Sequence, residues 1–180
     1  MRHRNAPPPA HGGRLLATLL TPLALAACSQ GEERDSPAPT PSLTTQAAPT
    51  TGAAGEPLTE GQWFIGETAT AATAEFGPSQ GEPLLRLVCD RDSGALTLIH
   101  MGQDDEAQVY TIEVGGQRAG VQMSPSLTGV PAMLAEVDPG QPIFAAFANP
   151  GETIEIGAAG GTVLRLPGNT GVGRVMEACR

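Results

Sequence analysis

The chain has 180 residues, with 10 basic residues, 19 acidic residues and a net charge of −9. All of the basic residues are arginines, and three of them lie before residue 28. The chain from residue 28 onward therefore carries 7 arginines against 19 acids, a net charge of −12. That charge disfavours nucleic acid and direct docking on anionic lipid as partners.

The N-terminal segment has the pattern of a secretory signal peptide. Arg2, Arg4 and Arg14 precede an apolar run from Leu15 to Leu25. A basic segment, an apolar core of about 7–15 residues and small residues at the cleavage site are typical of such a signal. The run is shorter than the roughly 20 residues that a membrane-spanning helix requires. We therefore predict a signal peptide over residues 1–27.

The four residues Leu25-Ala26-Ala27-Cys28 resemble the lipobox of bacterial lipoproteins. The resemblance implies that the mature protein begins at Cys28 and that the thiol of Cys28 carries a diacylglyceryl group. Two chains meet the need of stable anchoring, because each buried methylene contributes about 0.8 kcal/mol. Ser29 follows, and in enteric bacteria a residue other than Asp at this place implies the outer membrane, facing the periplasm. A plain signal peptide with a coincidental cysteine is the alternative.

Two further segments follow Cys28. Residues 29–58 are rich in Ser, Pro, Thr, Ala and Gly, and such a segment cannot bury enough apolar surface to offset its ordering entropy. We predict a lipidated cysteine and a disordered linker over 28–58, with a reach of roughly 30 Å. Residues 59–180 can bury one core and are predicted to form a single β-rich domain.

Short runs that alternate apolar and polar residues predict strands through this domain. The clearest is a hairpin, in which Leu84–Cys89 and Leu96–Ile99 flank a polar turn. Weaker or shorter runs complete the set, at Trp63–Gly66, Ala69–Phe76, Val109–Val114, Ala119–Met123, Val130–Val137, Thr153–Ile156 and Val163–Leu166. The pattern indicates a mainly β domain, an antiparallel sheet curled into a small sandwich or partial barrel.

Two segments break the period of two and predict short helices. Asp138-Pro139 is typical of an N-cap followed by proline at the first helical position, which predicts a helix over about 139–148. Near the C-terminus, Val172, Val175, Met176 and Cys179 form one apolar stripe at helical spacing. A sandwich without helices is the alternative.

Two cysteines remain once Cys28 is lipidated. Cys89 and Cys179 lie 90 residues apart, and outside the cytoplasm an even pair is most simply a disulfide. Both are predicted to point inward, one from a strand and one from the last helix. A redox pair is the weaker alternative, because no C-x-x-C spacing lowers a thiol pKa.

Three residues are candidates for binding at the surface. Trp63 and Tyr110 are the two plausible aromatic platforms, although a place in the core is the simpler interpretation of each. His100, the only histidine after residue 28, is predicted at the rim of the core. One histidine and two bonded cysteines make no zinc site. The acidic run Asp104-Asp105-Glu106 lacks the ligand alternation of an EF-hand and predicts a solvated loop, so we predict neither a metal nor a cofactor.

The domain also resembles small, uncharacterised bacterial envelope proteins. The residues that carry this resemblance are Phe76-Gly77, Leu84–Asp90, Leu96–Leu98, Asp138-Pro139 and Gly173–Arg180. In its architecture alone it is similar to periplasmic lysozyme-inhibitor lipoproteins. These features favour a non-catalytic, lipid-anchored domain that binds an envelope or secreted protein, with inhibition of a hydrolase such as lysozyme as one version. A structural envelope protein without a discrete ligand and a small periplasmic hydrolase are the alternatives.

Overall fold

A computed structural model describes residues 44–46, 49–52, 54–102 and 105–180. The predicted signal peptide over 1–27, the predicted lipidation site Cys28 and most of the predicted linker lie outside the described residues. The strands are β1 (Thr44–Gln46), β2 (Gln62–Glu67), β3 (Ala71–Gly77), β4 (Leu85–Asp90), β5 (Ala95–Met101), β6 (Gln108–Val114), β7 (Gln117–Pro125), β8 (Ala132–Val137), β9 (Thr153–Ala158) and β10 (Leu164–Pro167). The helices are α1 (Pro142–Ala145), a 3-10 helix (Ala146–Ala148) and α2 (Thr170–Glu177).

All of these strands pair antiparallel in one sheet, in the order β1-β2-β3-β4-β5-β8-β7-β6-β9-β10. The strands β7 and β8 share only two residue pairs, Ser124 with Leu134 and Pro125 with Met133. This short pairing joins two halves of a sheet that curls into a half-barrel around one core. The predicted class, a mainly β fold with a curled antiparallel sheet and two short helices, is confirmed.

Hydrogen bonds close the seam between the two ends of the curled sheet. The amide of Thr59, just before β2, donates to the carbonyl of Arg165 in β10 at 2.8 Å. The amide of Arg165 donates in return to Oγ1 of Thr59 at 2.9 Å. The residues that precede β2 are thereby held beside the last strand.

The predicted hairpin forms β4 and β5, and its alternation sets which side chains enter the core. Leu85, Leu87 and Cys89 are fully buried, whereas Arg86 points outward and pairs with Glu75 on β3 at 2.9 Å. The connecting turn is held by the carboxylate of Asp90, which accepts hydrogen bonds from the amides of residues 92 and 93 and from the Ser93 hydroxyl. These bonds explain why the sequence breaks its alternation there.

The helices cover one end of the half-barrel, here called the helix end. The strands β4 and β8 finish there, and α2 packs on β2, β3 and β4. The predicted stripe is confirmed, since Val172, Val175 and Met176 are buried. Asn169 caps this helix, because its side chain accepts the amide of Gly171 at 2.7 Å.

The disulfide between Cys89 and Cys179 is present and confirms the predicted pair. It joins the end of β4 to the residues that follow α2, across a sequence separation of 90 residues. The C-terminal helix is therefore stapled to the sheet that it covers.

The prediction of a helix over 139–148 is wrong in its start. The carboxylate of Asp138 accepts the amide of Gly140 at 2.8 Å, and the amide of Gln141 donates to the carbonyl of Asp138. These bonds make a turn, which places Pro139 before the helix and leaves Pro142 at its first position, after the N-cap Gln141. Either proline satisfies the sequence rule, and the turn decides between them.

Regular backbone pairing begins within residues 28–58, the segment that the sequence predicts to be a linker. The strand β1 pairs with β2, and Thr51 forms an isolated bridge with Pro57. The Glu56 carboxylate accepts the Thr153 hydroxyl at 2.5 Å, and this hydrogen bond lowers the pKa of Glu56. Contacts with distant strands thus hold a segment whose composition alone predicts disorder. In the described part of the chain, no helix is both long enough and apolar enough to cross a membrane.

Candidate functional site

The end of the half-barrel opposite the helices is open. The register pairs Leu85 with His100 and His100 with Met133, so these residues form the last interior row before the opening. Four connections border it, and we define their described residues as the open rim: 78–84, 102, 105–107, 126–131 and 159–163.

Backbone hydrogen bonds tie the connections of the open rim to one another. The amide of Met101 donates to the carbonyl of Leu84 at 2.9 Å, and the amide of Gly102 donates to the carbonyl of Pro131 at 3.2 Å. These bonds link the connections that follow β3, β5 and β7, which together border most of the opening.

A cavity of about 510 Å³ lies at this opening. Ligand pockets commonly have volumes of about 300–1,000 Å³, and the mouths of β-barrels are among their preferred places. The lining residues are Leu84, His100, Met101, Gly102, Gln108, Tyr110, Ala158, Ala159, Gly160, Gly161, Thr162 and Leu164. Polar and apolar groups contribute almost equally to the walls, so the cavity can offer both kinds of contact to a ligand.

His100 and Tyr110 lie side by side in this cavity. Their ring centroids are 5.0 Å apart and the ring planes are inclined by 52°. The strand β5 delivers His100 and β6 delivers Tyr110 to the same end, because the chain turns back between them. Both ring nitrogens of His100 are buried and Tyr110 is 2% exposed, so the pair lines the cavity as packed rings with little accessible hydrogen-bonding area.

The wall next to Tyr110 is the tight turn between β9 and β10, which begins at Ala158, the register partner of Tyr110. The amide of Gly161 donates to the carbonyl of Ala158 at 3.0 Å, and Gly160 has a φ of 77°. A side chain is strained in that left-handed conformation, so glycine suits this position. The turn consequently presents backbone and the small side chain of Ala159, which leaves the cavity wide.

The three residues predicted to bind at the surface differ in burial and in position. Trp63 is only 1% exposed, and its indole Nε1 donates to the carbonyl of Pro167 at 2.7 Å. The prediction of Trp63 as a surface binding residue is therefore wrong, because the seam of the sheet buries this ring. Tyr110 is 2% exposed and is no open stacking platform, but its ring lines the cavity beside the half-buried His100.

Sequence reasoning did not single out the other cavity residues. Leu84, Gln108 and Leu164 are ordinary strand-end residues, and they meet only because the ends of β4, β6 and β10 converge. The Gly160-Gly161 pair was a usable signal, since it marks a tight turn between two predicted strands.

A second cleft, of about 490 Å³, lies between the turn of β6 and β7 and the start of β9. It holds several carboxylates, but Glu113 pairs with Arg118 and Glu155 pairs with Arg165. Within the described ranges, no three His, Cys, Asp or Glu side chains are placed to hold a metal ion together. The cavity at the open end is therefore the better candidate site.

Comparison with known proteins gives no assignment: no protein-family model, no curated protein and no solved structure matches this chain.

Proposed function

We propose that this protein is a non-catalytic, lipid-anchored binding domain of the cell envelope, which takes up its ligand at the open end of the half-barrel. The observation that carries the proposal is the 510 Å³ cavity whose walls include His100 and Tyr110. The closed helix end and the disulfide hold the scaffold, while the open rim offers a broad recess with both polar and apolar walls.

The composition of the cavity favours binding over catalysis. A catalytic histidine works with a nucleophile and with a group that orients its ring. The described residues that line the cavity include no carboxylate and no cysteine. His100 therefore serves as a wall residue of the cavity in this proposal.

The anchor in this proposal rests on the lipobox resemblance around Cys28. Full-length protein extracted from membranes is expected to have an intact mass that begins at Cys28 and includes lipid. A Cys28→Ser variant is expected to keep its signal peptide and to incorporate no labelled palmitate. Equal palmitate labelling of the wild type and the Cys28→Ser variant would show that Cys28 is not the lipidation site.

Site-specific photocrosslinking in the native membrane tests the binding end. A photoreactive residue replaces Ala159 at the cavity or Ala145 at the helix end, and both positions are exposed. We expect discrete adducts from position 159 that are absent from position 145. The same adducts from both positions, or none from position 159, would contradict binding at the open end and would favour a structural role.

A further inference from the structure

The exposed apolar side chains of this protein gather at the open end. Four large hydrophobic residues are more than a third exposed among the described residues: Val109 (54%), Leu127 (99%), Val130 (52%) and Val163 (40%). Three of them belong to the open rim, and Val109 is the second residue of β6, which starts there. Leu127 and Val130 lie in one connection, so exposed apolar side chains concentrate at this end, as they do at interaction surfaces.

The open rim also carries one sign of charge. Its charged residues are Glu82, Asp105 and Glu106, and its sequence includes no arginine or lysine. All three are exposed, and none of them forms a salt bridge with another described residue. Their negative potential is therefore available to a partner.

The arginines are distributed in the opposite way. Each described arginine has a carboxylate partner on the outer face of the sheet or near the helix end, in the pairs Arg86–Glu75, Arg91–Glu67, Arg118–Glu113, Arg165–Glu155, Arg174–Glu67 and Arg180–Glu177. The open rim thus differs from the rest of the described surface in carrying carboxylates without arginines, although carboxylates also outnumber arginines at the helix end.

A smaller cleft, distinct from the 490 Å³ cleft described above, lies at the open rim beside the cavity. It has a volume of about 220 Å³ and lies between Asp105 and the 125–132 segment, next to the exposed Val130. Because Gly102 is hydrogen-bonded to Pro131, this cleft and the main cavity belong to one frame. Asp105 therefore lines this smaller cleft, beside a main cavity whose described lining includes no carboxylate.

We propose that the open rim recognises a basic polypeptide segment, which inserts an apolar or aromatic side chain into the cavity and places its cationic residues beside Glu82, Asp105 and Glu106. This inference rests on the proposed function and specifies its partner. Burial of the apolar group supplies affinity, while the complementary charges raise the association rate and select the partner.

Charge decides against two other occupants of this surface. A second copy of the chain would bring the same three carboxylates against each other, and like charges in one interface are costly. Anionic lipid would meet the same repulsion. A basic polypeptide with apolar side chains complements both the exposed apolar residues and the carboxylates of the open rim.

Binding of synthetic peptides to the full chain in zwitterionic nanodiscs tests the inference, with empty nanodiscs as the blank. The probe is a 12-residue peptide of alternating lysine and leucine; one comparison peptide has glutamate for lysine and another has serine for leucine. We expect fluorescence anisotropy to show binding of the lysine–leucine peptide alone, weakened by added salt. Salt-independent binding, or equal binding of the glutamate peptide, would overturn the inference.

Variants locate the binding on the molecule. The triple variant E82Q/D105N/E106Q is expected to bind the lysine–leucine peptide about tenfold more weakly at low salt. The matched control D92N/E136Q/D138N removes as many charges from exposed positions away from the rim, none of them in a salt bridge with a described residue, and is expected to bind like the wild type. Equal weakening of both variants would mean that net charge alone attracts the peptide.

The two proposals fail in different ways. If position 159 gives specific crosslinks but the lysine–leucine peptide does not bind, this inference is wrong and binding at the open end stands. Preferential binding of the protein to vesicles of anionic lipid would likewise overturn the basic-peptide partner. If position 159 gives no specific crosslinks, the proposed function itself fails.

Discussion

The indole Nε1 of Trp63 donates a 2.7 Å hydrogen bond to the carbonyl oxygen of Pro167, which lies 104 residues later in the chain. The bond joins β2 to the end of β10, and both residues are buried. The same ring meets Phe76 edge to face, with centroids 5.3 Å apart. Trp63 thus closes the seam of the half-barrel and stands away from the ligand surface.

Replacement of this ring is expected to weaken the whole domain. Trp63→Phe leaves the Pro167 carbonyl buried without its donor, at a cost of about 1–3 kcal/mol, and the smaller ring leaves space that adds to this cost. Urea unfolding followed by far-UV circular dichroism measures the loss, because the chain has a single tryptophan and the variant has no tryptophan fluorescence. An unchanged unfolding midpoint would show that the seam bond contributes nothing.

Removal of the disulfide is expected to destabilise the domain more strongly. Cys89 and Cys179 close a loop with a sequence separation of 90 residues, and the chain-entropy argument assigns about 4–5 kcal/mol to a loop of that length. We expect C89A/C179A to unfold at a much lower urea concentration than the wild type. Reductant should shift the wild type towards the variant and leave the variant itself unchanged; a shift in both would point to another cause.

A glycine in the last helix is expected to resist replacement by a better helix former. A Cβ at Gly171 would stand 2.5 Å from Cγ1 of Ile65 on β2. Gly171→Ala should therefore lower the free energy of unfolding by about 1–3 kcal/mol, the usual cost of overpacking. Gly151→Ala is the control, because its Cβ would meet nothing closer than 3.4 Å. Equal stability of the two variants would refute the close approach of α2 to the sheet.

The turn between β4 and β5 is expected to make stability depend on pH. Hydrogen bonds from Ser93 lower the pKa of the Asp90 carboxyl below its ordinary value. A lowered folded-state pKa contributes stability that is present at neutral pH and is lost as the pH falls below about 4. We expect Asp90→Asn to unfold at a lower urea concentration than the wild type at pH 7, and the difference to shrink below pH 4. A difference that does not change with pH would contradict this role.

Local patterns predicted much of this fold. The alternation in Leu84–Cys89 predicted the hairpin, and the stripe from Val172 to Cys179 predicted the last helix and the inward cysteine. The strand order was not predictable, because the insertion of β8 between β5 and β7 depends on pairing between distant segments. The start of α1 was missed for a local reason, since two nearby prolines fit the same rule.

The candidate site was predictable only in fragments. The register of β5 placed His100 at the rim of the core, but its contact with Tyr110 depends on how the chain returns in β6. A core position was the simpler interpretation of Trp63, but its bond to Pro167 was not predictable, because closure of the seam joins residues far apart in the sequence. Leu127 belongs to no recognisable sequence motif. Its exposure at the open rim follows only from the fold, which brings the four rim connections to one end.

Hydrogen-exchange measurement of the open rim tests the central claim most directly. Full-length protein is compared in its native envelope and after purification in detergent, with peptides that cover 126–131, 159–163 and the helix end. We predict slower exchange in the envelope at both rim segments and no change over Pro142–Ala148. Unchanged exchange at the rim, or protection confined to the helix end, would contradict the account that this protein binds its partner through the open end of the half-barrel.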